Sequence, residues 1–194
     1  MIARYIIKET ILKKVIMDKI ELAREIYKKS HLIGEFLLRS GQKSNEYFDK
    51  YLFESDPQLI MAIIKEMKLF IPQKTELLAG LEMGGIPLVT ALSIETGIPS
   101  IFVRKKAKEY GTCKIAEGGT IFGKKVCIIE DIVTTGGQII KSVQELRNGG
   151  AKIENVLCVI QRNFDAIEIL AKEGLCLKSV FTMEYINNLV KNTE

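Results

Sequence analysis

The second half of the chain alternates between short apolar runs and segments with the spacing of amphipathic helices. Residues 124–130 and 155–161 are rich in branched apolar residues, as are strands that a sheet buries on both faces. Residues 137–150, between these runs, have a helical period and end at a double glycine. Strands are also predicted at residues 77–81, 100–104 and 177–181, and a helix is predicted at residues 85–97. The alternation predicts an α/β fold with a mostly parallel central sheet flanked by helices.

The first part of the chain is predicted to contain helices and one pair of strands. A helix fits residues 2–16, and a second is predicted from Asp18, which begins a capping-box pattern, to about residue 29. Residues 33–53 alternate apolar and polar side chains around a polar turn, which predicts two short strands. Asp56 precedes a proline, and this pair is typical of a helix start.

The composition indicates a globular domain large enough to bury a core. The chain has 194 residues, of which 47% are apolar and 27% are charged. No repeat, low-complexity tract or linker interrupts it, so we predict a single domain over residues 1–194. The net charge of +4 gives no reason to expect a nucleic-acid partner.

The cysteines and the apolar runs bear on the location of the protein. The four cysteines, at positions 113, 127, 158 and 176, form no C-x-x-C pair, so neither a zinc site nor a disulfide framework is expected. No apolar run has the length and flanking residues of a signal peptide or a membrane span. These features predict a cytoplasmic protein that has no contact with a membrane.

The most informative segment for chemistry is VCIIEDIVTTGGQ, residues 126–138. A buried strand leads into Glu130 and Asp131, and then into a turn of hydroxyl residues and glycines that begins a helix. Backbone N–H groups at a helix amino terminus attract an anion such as phosphate, and carboxylates accept hydrogen bonds from sugar hydroxyls. Together they favour a ribose phosphate. From the spacing alone, a plain turn in which Asp131 caps the helix fits equally well.

Two further segments carry candidate chemistry. Residues 105–119 are polar, charged and glycine-bearing, which predicts a long loop, and Arg104, Lys105 and Lys108 place cations on it. Such a loop suits closure over a pyrophosphate, although a solvated run of charges has the same pattern. Residues 79–87, AGLEMGGIP, predict a strand, a glycine loop and a helix start, which either cradle an anion or form a simple tight turn.

VCIIEDIVTTGGQ resembles, nearly position by position, the signature of the type I phosphoribosyltransferases, which use phosphoribosyl pyrophosphate (PRPP). The shared pattern is four apolar residues, two acids, two apolar residues and T-T-G, and Gln138 departs from the small or hydroxyl residue that is usual there. The resemblance implies that PRPP is bound by Arg104, Lys105, Lys108, Tyr110, Glu130, Asp131, Ile132, Val133, Thr134, Thr135, Gly136, Gly137 and Gln138.

Three more segments resemble the orotate phosphoribosyltransferases within that family. FLLRSGQKSNEYFD (36–49) resembles their amino-terminal segment, and FVRKKAKEYGTCKIAEG (102–118) resembles their catalytic loop in the form found in UMP synthases. QRNF (161–164) is similar to the strand end that contacts orotate. Tyr110 stands where many bacterial members have histidine. The resemblance implies that orotate is bound by Arg39, Tyr47, Phe48, Thr134 and Arg162.

The resemblance also implies an activity and a mechanism. The family transfers the phosphoribosyl group of PRPP to orotate, giving orotidine 5′-monophosphate and pyrophosphate, in pyrimidine (UMP) biosynthesis. Lys108, Glu130 and Asp131 are the implied catalytic residues. Mg²⁺ is the implied cofactor, bound mainly through PRPP, with Asp131 as a candidate protein ligand. A homodimer is implied, in which Arg104 and Lys108 act in the site of the neighbouring subunit.

The family's fold implies a small amino-terminal hood, mainly residues 1–55 with the C-terminal segment, and a core over about residues 56–175. Two alternatives are a phosphoribosyltransferase for a purine or another base, and a regulator that binds PRPP. The amino-terminal and loop segments favour the orotate enzyme over a purine enzyme. We see neither a weakened catalytic loop nor an added DNA-binding domain, either of which would favour a regulator.

Overall fold

The computed structural model describes residues 17–38, 41–105 and 115–192. The predicted helix over residues 2–16 and three predicted site residues, Arg39, Lys108 and Tyr110, lie outside these ranges. The chain divides into two compact units, one comprising residues up to Ile63 together with those from Ile186 onward, and the other Ile64–Tyr185. Within the described ranges, no helix is long and apolar enough to cross a membrane.

The described residues form seven α-helices and eight strands. In chain order these are α1 (Lys19–Ser30), β1 (His31–Leu37), β2 (Lys43–Phe48), α2 (Lys50–Glu54), α3 (Pro57–Met67), a 3-10 helix (Lys68–Phe70), β3 (Leu77–Leu81), α4 (Gly85–Thr96), β4 (Ser100–Val103), β5 (Ala116–Glu117), β6 (Lys125–Val133), α5 (Gly137–Asn148), β7 (Lys152–Gln161), α6 (Asp165–Lys172), β8 (Cys176–Thr182) and α7 (Met183–Lys191).

The first unit contains α1 and a two-stranded sheet. As predicted, α1 is capped by Asp18, whose carboxylate accepts a hydrogen bond from the N–H of Glu21 at 2.8 Å. β1 and β2 pair antiparallel, which confirms the predicted pair of strands. The predicted extent of that pair, to residue 53, is wrong. Asp49 accepts a hydrogen bond from the N–H of Tyr51 at 3.0 Å and caps α2, so the chain turns into a helix there.

The second unit is built on a six-stranded sheet with the order β5-β4-β3-β6-β7-β8. Every neighbouring pair is parallel except β4 and β5. All five residues of β3 are buried, as are residues 126–129 of β6 and 156–161 of β7. Apolar runs of this kind are expected where helices cover both faces of a sheet. The predicted α/β fold with a mostly parallel sheet is confirmed.

The order of the strands fixes where a ligand can bind in this unit. β3 and β6 are neighbours in the middle of the sheet although they are not consecutive in the chain. From β3 the chain moves outward to β4, and from β6 it moves outward in the opposite direction to β7 and β8. In open α/β sheets, ligands bind beyond the carboxyl ends of the strands at the point where the direction of winding changes.

Two details of the sheet differ from the prediction. Residues 105–119 were expected to be loop throughout, but β5 lies within this range and pairs antiparallel with β4 through Val103 and Ala116. The strand predicted over residues 124–130 continues to Val133, because its backbone still pairs with β7 there. Glu130 and Asp131 therefore lie in β6, where alternate side chains face opposite sides of the sheet.

The start of α3 allows a test of local stability. The carboxylate of Asp56 accepts hydrogen bonds from the N–H groups of Gln58 (2.9 Å) and Leu59 (3.2 Å) and lies 3.1 Å from the ammonium of Lys29. We expect Asp56→Ala to lower the free energy of unfolding at pH 7 by about 1 to 2 kcal/mol, measured by urea denaturation. Asp56→Asn keeps a capping oxygen but has no charge, so its free energy of unfolding should fall by less than that of Asp56→Ala.

This effect should depend on pH. Burial opposes ionisation of Asp56, but hydrogen bonds from Leu59 and Lys29 outweigh it, so the pKa is lowered from its ordinary value of 3.8. A lowered pKa in the folded state contributes stability that is present above the unfolded pKa and lost as the pH falls through the folded pKa. The gap between wild type and Asp56→Ala should therefore shrink below about pH 4. An unchanged gap at pH 2.5 would contradict a role for the ionised carboxylate.

Candidate active site

The turn between β6 and α5 presents free backbone N–H groups. Thr134 and Thr135 are exposed, and α5 begins at Gly137 with no side chain capping its amino terminus. The first N–H groups of an α-helix have no partner within the helix, so this turn offers several donors and the positive end of a helix dipole. The N-cap residue is Gly136, and Asp131 lies within β6, where its carboxylate accepts a hydrogen bond from the N–H of Ile132. The geometry favours an anion site over a plain capped turn.

Gly136 is the residue that shapes this turn. Its φ is +79°, a left-handed conformation that glycine adopts without steric cost. A Cβ at this position would lie 3.0 Å from the side chain of Leu170 on α6. Gly137 has no such constraint, because the atom nearest to an added Cβ is the Thr135 hydroxyl at 4.0 Å. The turn therefore requires glycine at one position and tolerates a side chain at the next.

The two acids of β6 differ in their access to solvent. Asp131 is fully buried, whereas Glu130 is half-buried and is paired in register with Cys158 of β7. The pKa of Cys158 is raised, first by burial and then by the negative charges of Glu130 and Asp131. Both acids lie near the carboxyl end of β6, as consecutive residues on opposite faces of the sheet. Glu130 is the carboxylate with access to a ligand in this structure.

The donor set at this edge fits a metal ion shared with a substrate. Among the described residues, no group of three or more His, Cys, Asp or Glu side chains could hold a metal. Mg²⁺ commonly keeps several waters and binds through one or two carboxylates together with substrate phosphates. Glu130 supplies a carboxylate of that kind at the carboxyl end of β6, whereas Asp131, the predicted protein ligand, is fully buried.

Arg162 lies next to the turn between β6 and α5, residues 134–137, which is the predicted phosphate site and is named the phosphate turn. Its backbone N–H donates to the carbonyl of Val133 at 2.8 Å, which fixes the residue after β7 beside the residue after β6. The side chain of Arg162 is exposed, as is that of Thr134. The structure thus brings these two predicted orotate contacts to the same part of the sheet edge. Gln138, on α5, directs its amide toward the Ser142 hydroxyl at 3.4 Å.

The loop after β3 approaches the backbone of the neighbouring strand. A Cβ on Gly85 would lie 2.4 Å from the carbonyl oxygen of Ile129, and a Cβ on Gly80 would lie 2.5 Å from the carbonyl oxygen of Gly85. Glycine is therefore needed at both positions for α4 to begin directly over β3 and β6. The peptide between Glu82 and Met83 is cis. The second predicted glycine loop is present and adjoins the phosphate turn.

Arg104 and Lys105 follow β4 at the same edge. The N–H of Arg104 donates to the carbonyl of Ile115 at 2.9 Å, and its guanidinium lies 3.8 Å from the Glu117 carboxylate. The N–H of Lys105 donates to the Glu82 carboxylate at 2.6 Å. Neither glutamate is among the site residues predicted from the sequence. For Glu82, the available signal was its position directly after a predicted strand.

Two predicted site residues of the first unit, Tyr47 and Phe48, pack within that unit. Tyr47 is 43% exposed, and its ring lies 5.5 Å from that of Phe36 on the opposite strand. The ring of Phe48 lies 6.5 Å from that of Phe53. Tyr47 therefore presents aromatic surface to solvent.

Comparison with known proteins identifies the class to which this fold and site belong. Residues 54–191 match the phosphoribosyl transferase domain family. The chain is 49% identical to an orotate phosphoribosyltransferase of Nocardioides over 161 residues, which are 83% of this chain and 90% of the relative. The chain belongs to the orotate phosphoribosyltransferase family, which confirms the family and the function predicted from the sequence.

Solved structures agree with this assignment. A crystal structure of the Mycobacterium tuberculosis orotate phosphoribosyltransferase is similar with a TM-score of 0.78 and 28% identity, covering 87% of this chain and 98% of that one. A second structure of the M. tuberculosis enzyme, in complex with PRPP, has a TM-score of 0.74 and 26% identity over the same shares of the two chains. The predicted type I phosphoribosyltransferase fold is confirmed.

The difference between the two adjacent glycines of the turn can be tested by substitution. We expect Gly136→Ala to lower the free energy of unfolding by about 1 to 2 kcal/mol, because alanine is strained at a left-handed φ. The contact with Leu170 should add to this loss. Gly137→Ala is the matched control and should be neutral or slightly stabilising, since alanine favours a helix. Urea denaturation measures both, and equal losses in the two variants would contradict the argument.

Proposed function

We propose that this chain transfers the phosphoribosyl group of PRPP to orotate, releasing pyrophosphate and forming orotidine 5′-monophosphate for UMP synthesis. The observation that carries the proposal is the uncapped amino terminus of α5, which follows Glu130 and Asp131 and lies beside Arg162. An anion site, sugar-binding carboxylates and a cation for a carboxylate ligand are then adjacent. The anion site suits the phosphate of PRPP, the carboxylates suit its ribose, and the cation suits the carboxylate of orotate.

The 5′-phosphate of PRPP binds at the turn in this proposal. The backbone N–H groups and hydroxyls of residues 134–138 donate to it, aided by the dipole of α5. Glu130 accepts hydrogen bonds from the ribose hydroxyls, while Asp131 holds the backbone before the turn through Ile132. The pyrophosphate lies toward residues 82–85, with Lys105 as a cation of the same chain and Arg104 as a cation supplied by the neighbouring subunit. Lys108 and Tyr110 are further contacts, proposed from the sequence alone.

Orotate is recognised through its carboxylate and its flat ring. Arg162 is exposed beside the phosphate turn, and a guanidinium can bind a carboxylate through two parallel hydrogen bonds. Thr134, at the start of the turn, supplies a hydroxyl close to Arg162. Arg39, Tyr47 and Phe48 remain proposed contacts on the basis of the sequence resemblance.

The reaction breaks the bond from C1′ of the ribose to the pyrophosphate oxygen and forms a bond from C1′ to a ring nitrogen of orotate. Positive charge develops on the ribose and negative charge on the leaving pyrophosphate. Lys105, Arg104 and Lys108 would stabilise the pyrophosphate as its charge grows. Orotate is already acidic at its ring nitrogen, so no strong base is needed, and Tyr110 can donate to a pyrophosphate oxygen.

Mg²⁺ is the proposed cofactor, held mainly by PRPP, with Glu130 as the accessible carboxylate at the end of β6. When bound, it supplies positive charge to the pyrophosphate. In this proposal Glu130 also orients the ribose through its hydroxyls. Acids beside a phosphate site thus have two tasks, which are to hold the sugar and to lie near Mg²⁺. We also propose a cytoplasmic homodimer in which Arg104 and Lys108 complete the site of the neighbouring subunit.

The activity is tested by following orotate absorbance after the protein is mixed with PRPP and Mg²⁺. We expect turnover that requires all three and is abolished by EDTA and restored by added Mg²⁺. Arg162→Ala should raise the KM for orotate about 10- to 100-fold, with the KM for PRPP changed less than about threefold. Arg162→Lys, which keeps the charge but loses the paired hydrogen bonds, should be intermediate.

Other substrates separate the alternatives. Uracil lacks the carboxylate, so the preference of the wild type for orotate over uracil should fall in Arg162→Ala. Turnover of adenine or hypoxanthine in place of orotate would support a purine enzyme. PRPP binding without turnover of any base would support a regulator, and either result would overturn the proposal.

The proposed exchange of Arg104 between subunits is tested by complementation. In a mixture of Arg104→Ala and Arg162→Ala chains, a heterodimer contains one site with both arginines and one site with neither. Random reassociation should therefore restore about a quarter of wild-type activity, since half of the dimers are mixed and each has one intact site. No recovery, while size analysis detects mixed dimers, would mean that Arg104 acts within its own chain.

A further inference from the structure

Glu82 is the residue that joins the loop after β3 to the segment after β4. Its N–H donates to the carbonyl of Val103 at 2.9 Å, and its carboxylate accepts from the N–H of Lys105 at 2.6 Å. Backbone and side chain of one residue thus contact positions 103 and 105. The parallel pairing of β3 with β4, which ends at Leu81 and Val103, is thereby extended past the ends of both strands.

The contact is specific rather than a chance surface pair. Glu82 and Lys105 are 23 residues apart in the sequence, and the donor is a backbone N–H, which cannot move independently of the chain. Glu82 is half-buried, so its carboxylate has fewer alternative positions than an exposed one. A hydrogen bond to an ionised carboxylate is stronger than a neutral one.

Glu82 is itself attached to a fixed part of the molecule. It follows β3, and three residues later Gly85 lies so close to Ile129 that no Cβ fits between them. The loop 82–85 is therefore held against the central strands. Through its carboxylate, Glu82 transmits this fixed position to the backbone of Lys105.

On the other side, the same backbone is held by β5. The N–H of Arg104 donates to the carbonyl of Ile115, and the Arg104 guanidinium lies 3.8 Å from the carboxylate of Glu117. Arg104 and Lys105 are thus fixed from both neighbours of β4, by β5 through Arg104 and by Glu82 through Lys105. The Glu82 contact comes from the side of β4 on which β3 and β6 lie.

The presence of an acid here needs an explanation. A carboxylate beside a pyrophosphate site repels the ligand, and this cost is offset if the carboxylate holds cations in place for the same ligand. We propose that Glu82 is a positioning residue, which acts as a hydrogen-bond acceptor to fix the backbone of Arg104 and Lys105 for the pyrophosphate of PRPP. This inference rests on the proposed function, because it assigns the pyrophosphate to those two cations.

Three substitutions separate the contact from the charge. Glu82→Gln keeps the length and an acceptor oxygen but loses the charge, whereas Glu82→Asp keeps the charge and is shorter by about 1.5 Å. Glu82→Ala loses both. If the contact with Lys105 matters, Glu82→Gln is more active than Glu82→Asp, and the activity of Glu82→Asp is close to that of Glu82→Ala. If the charge matters, Glu82→Asp is more active than Glu82→Gln.

Steady-state kinetics supply the first measurement. In Glu82→Ala and Glu82→Asp we expect kcat/KM for PRPP to fall about 10- to 100-fold, with the KM for orotate within about threefold of wild type. Glu82→Gln should remain within about threefold for both substrates. Glu154→Ala, an exposed acid near the opposite end of the same sheet, is the control for a general loss of charge. A parallel fall in all parameters of every Glu82 variant, or the order Asp above Gln, would overturn the proposal.

Hydrogen exchange at the Lys105 amide, followed by NMR in the absence of substrates, tests the contact independently of activity. Exchange should be at least about 10-fold faster in Glu82→Ala and Glu82→Asp than in wild type and Glu82→Gln, because the carboxylate no longer protects the amide. Unchanged exchange would refute the positioning role even in an active enzyme. If exchange changes as expected but wild type does not turn over PRPP and orotate, the proposed function fails and the contact stands.

Discussion

The arrangement of the second unit depends on a contact between backbones that leaves no room for a side chain. Gly85, at the start of α4, lies against the carbonyl of Ile129 in β6, and Gly80 in β3 lies against Gly85. Because neither glycine has a Cβ, the helix begins directly over the two central strands. The loop before it therefore opens at the same edge as the turn after β6. Larger residues would push α4 away and separate the two loops.

The second consequence of this geometry is the distribution of charge along one sheet edge. Acidic side chains occur at the ends of β3 and β6, and cationic ones follow β4 and β7. In the middle, the turn before α5 contributes N–H groups but no charged side chain. A ligand with an anionic group at each end and a sugar between them matches this order. The strand order sets the distances between these groups, and the loops carry the charged side chains and the N–H groups.

Much of this could be predicted from the sequence, because the relevant signals are local. The runs of branched apolar residues in β6 and β7, the double glycine after α5 and the cap at Asp56 each determine structure within a few residues. The extension of β6 to Val133 was missed because it depends on pairing with β7. The contacts of Glu82 with Lys105 and of Glu117 with Arg104 were missed for the same reason, since these partners are set by strand register. A single sequence does not contain that information.

The two-residue strand β5 has a consequence for the border of the sheet. β4 would otherwise end the sheet with unpaired N–H and carbonyl groups, which readily recruit strands from other molecules. β5 covers the last two residues of β4, and Gly118 then turns close to the carbonyl of Ser100. The carboxyl end of β4 is thus paired within the chain itself and offers no open edge to a strand of another molecule.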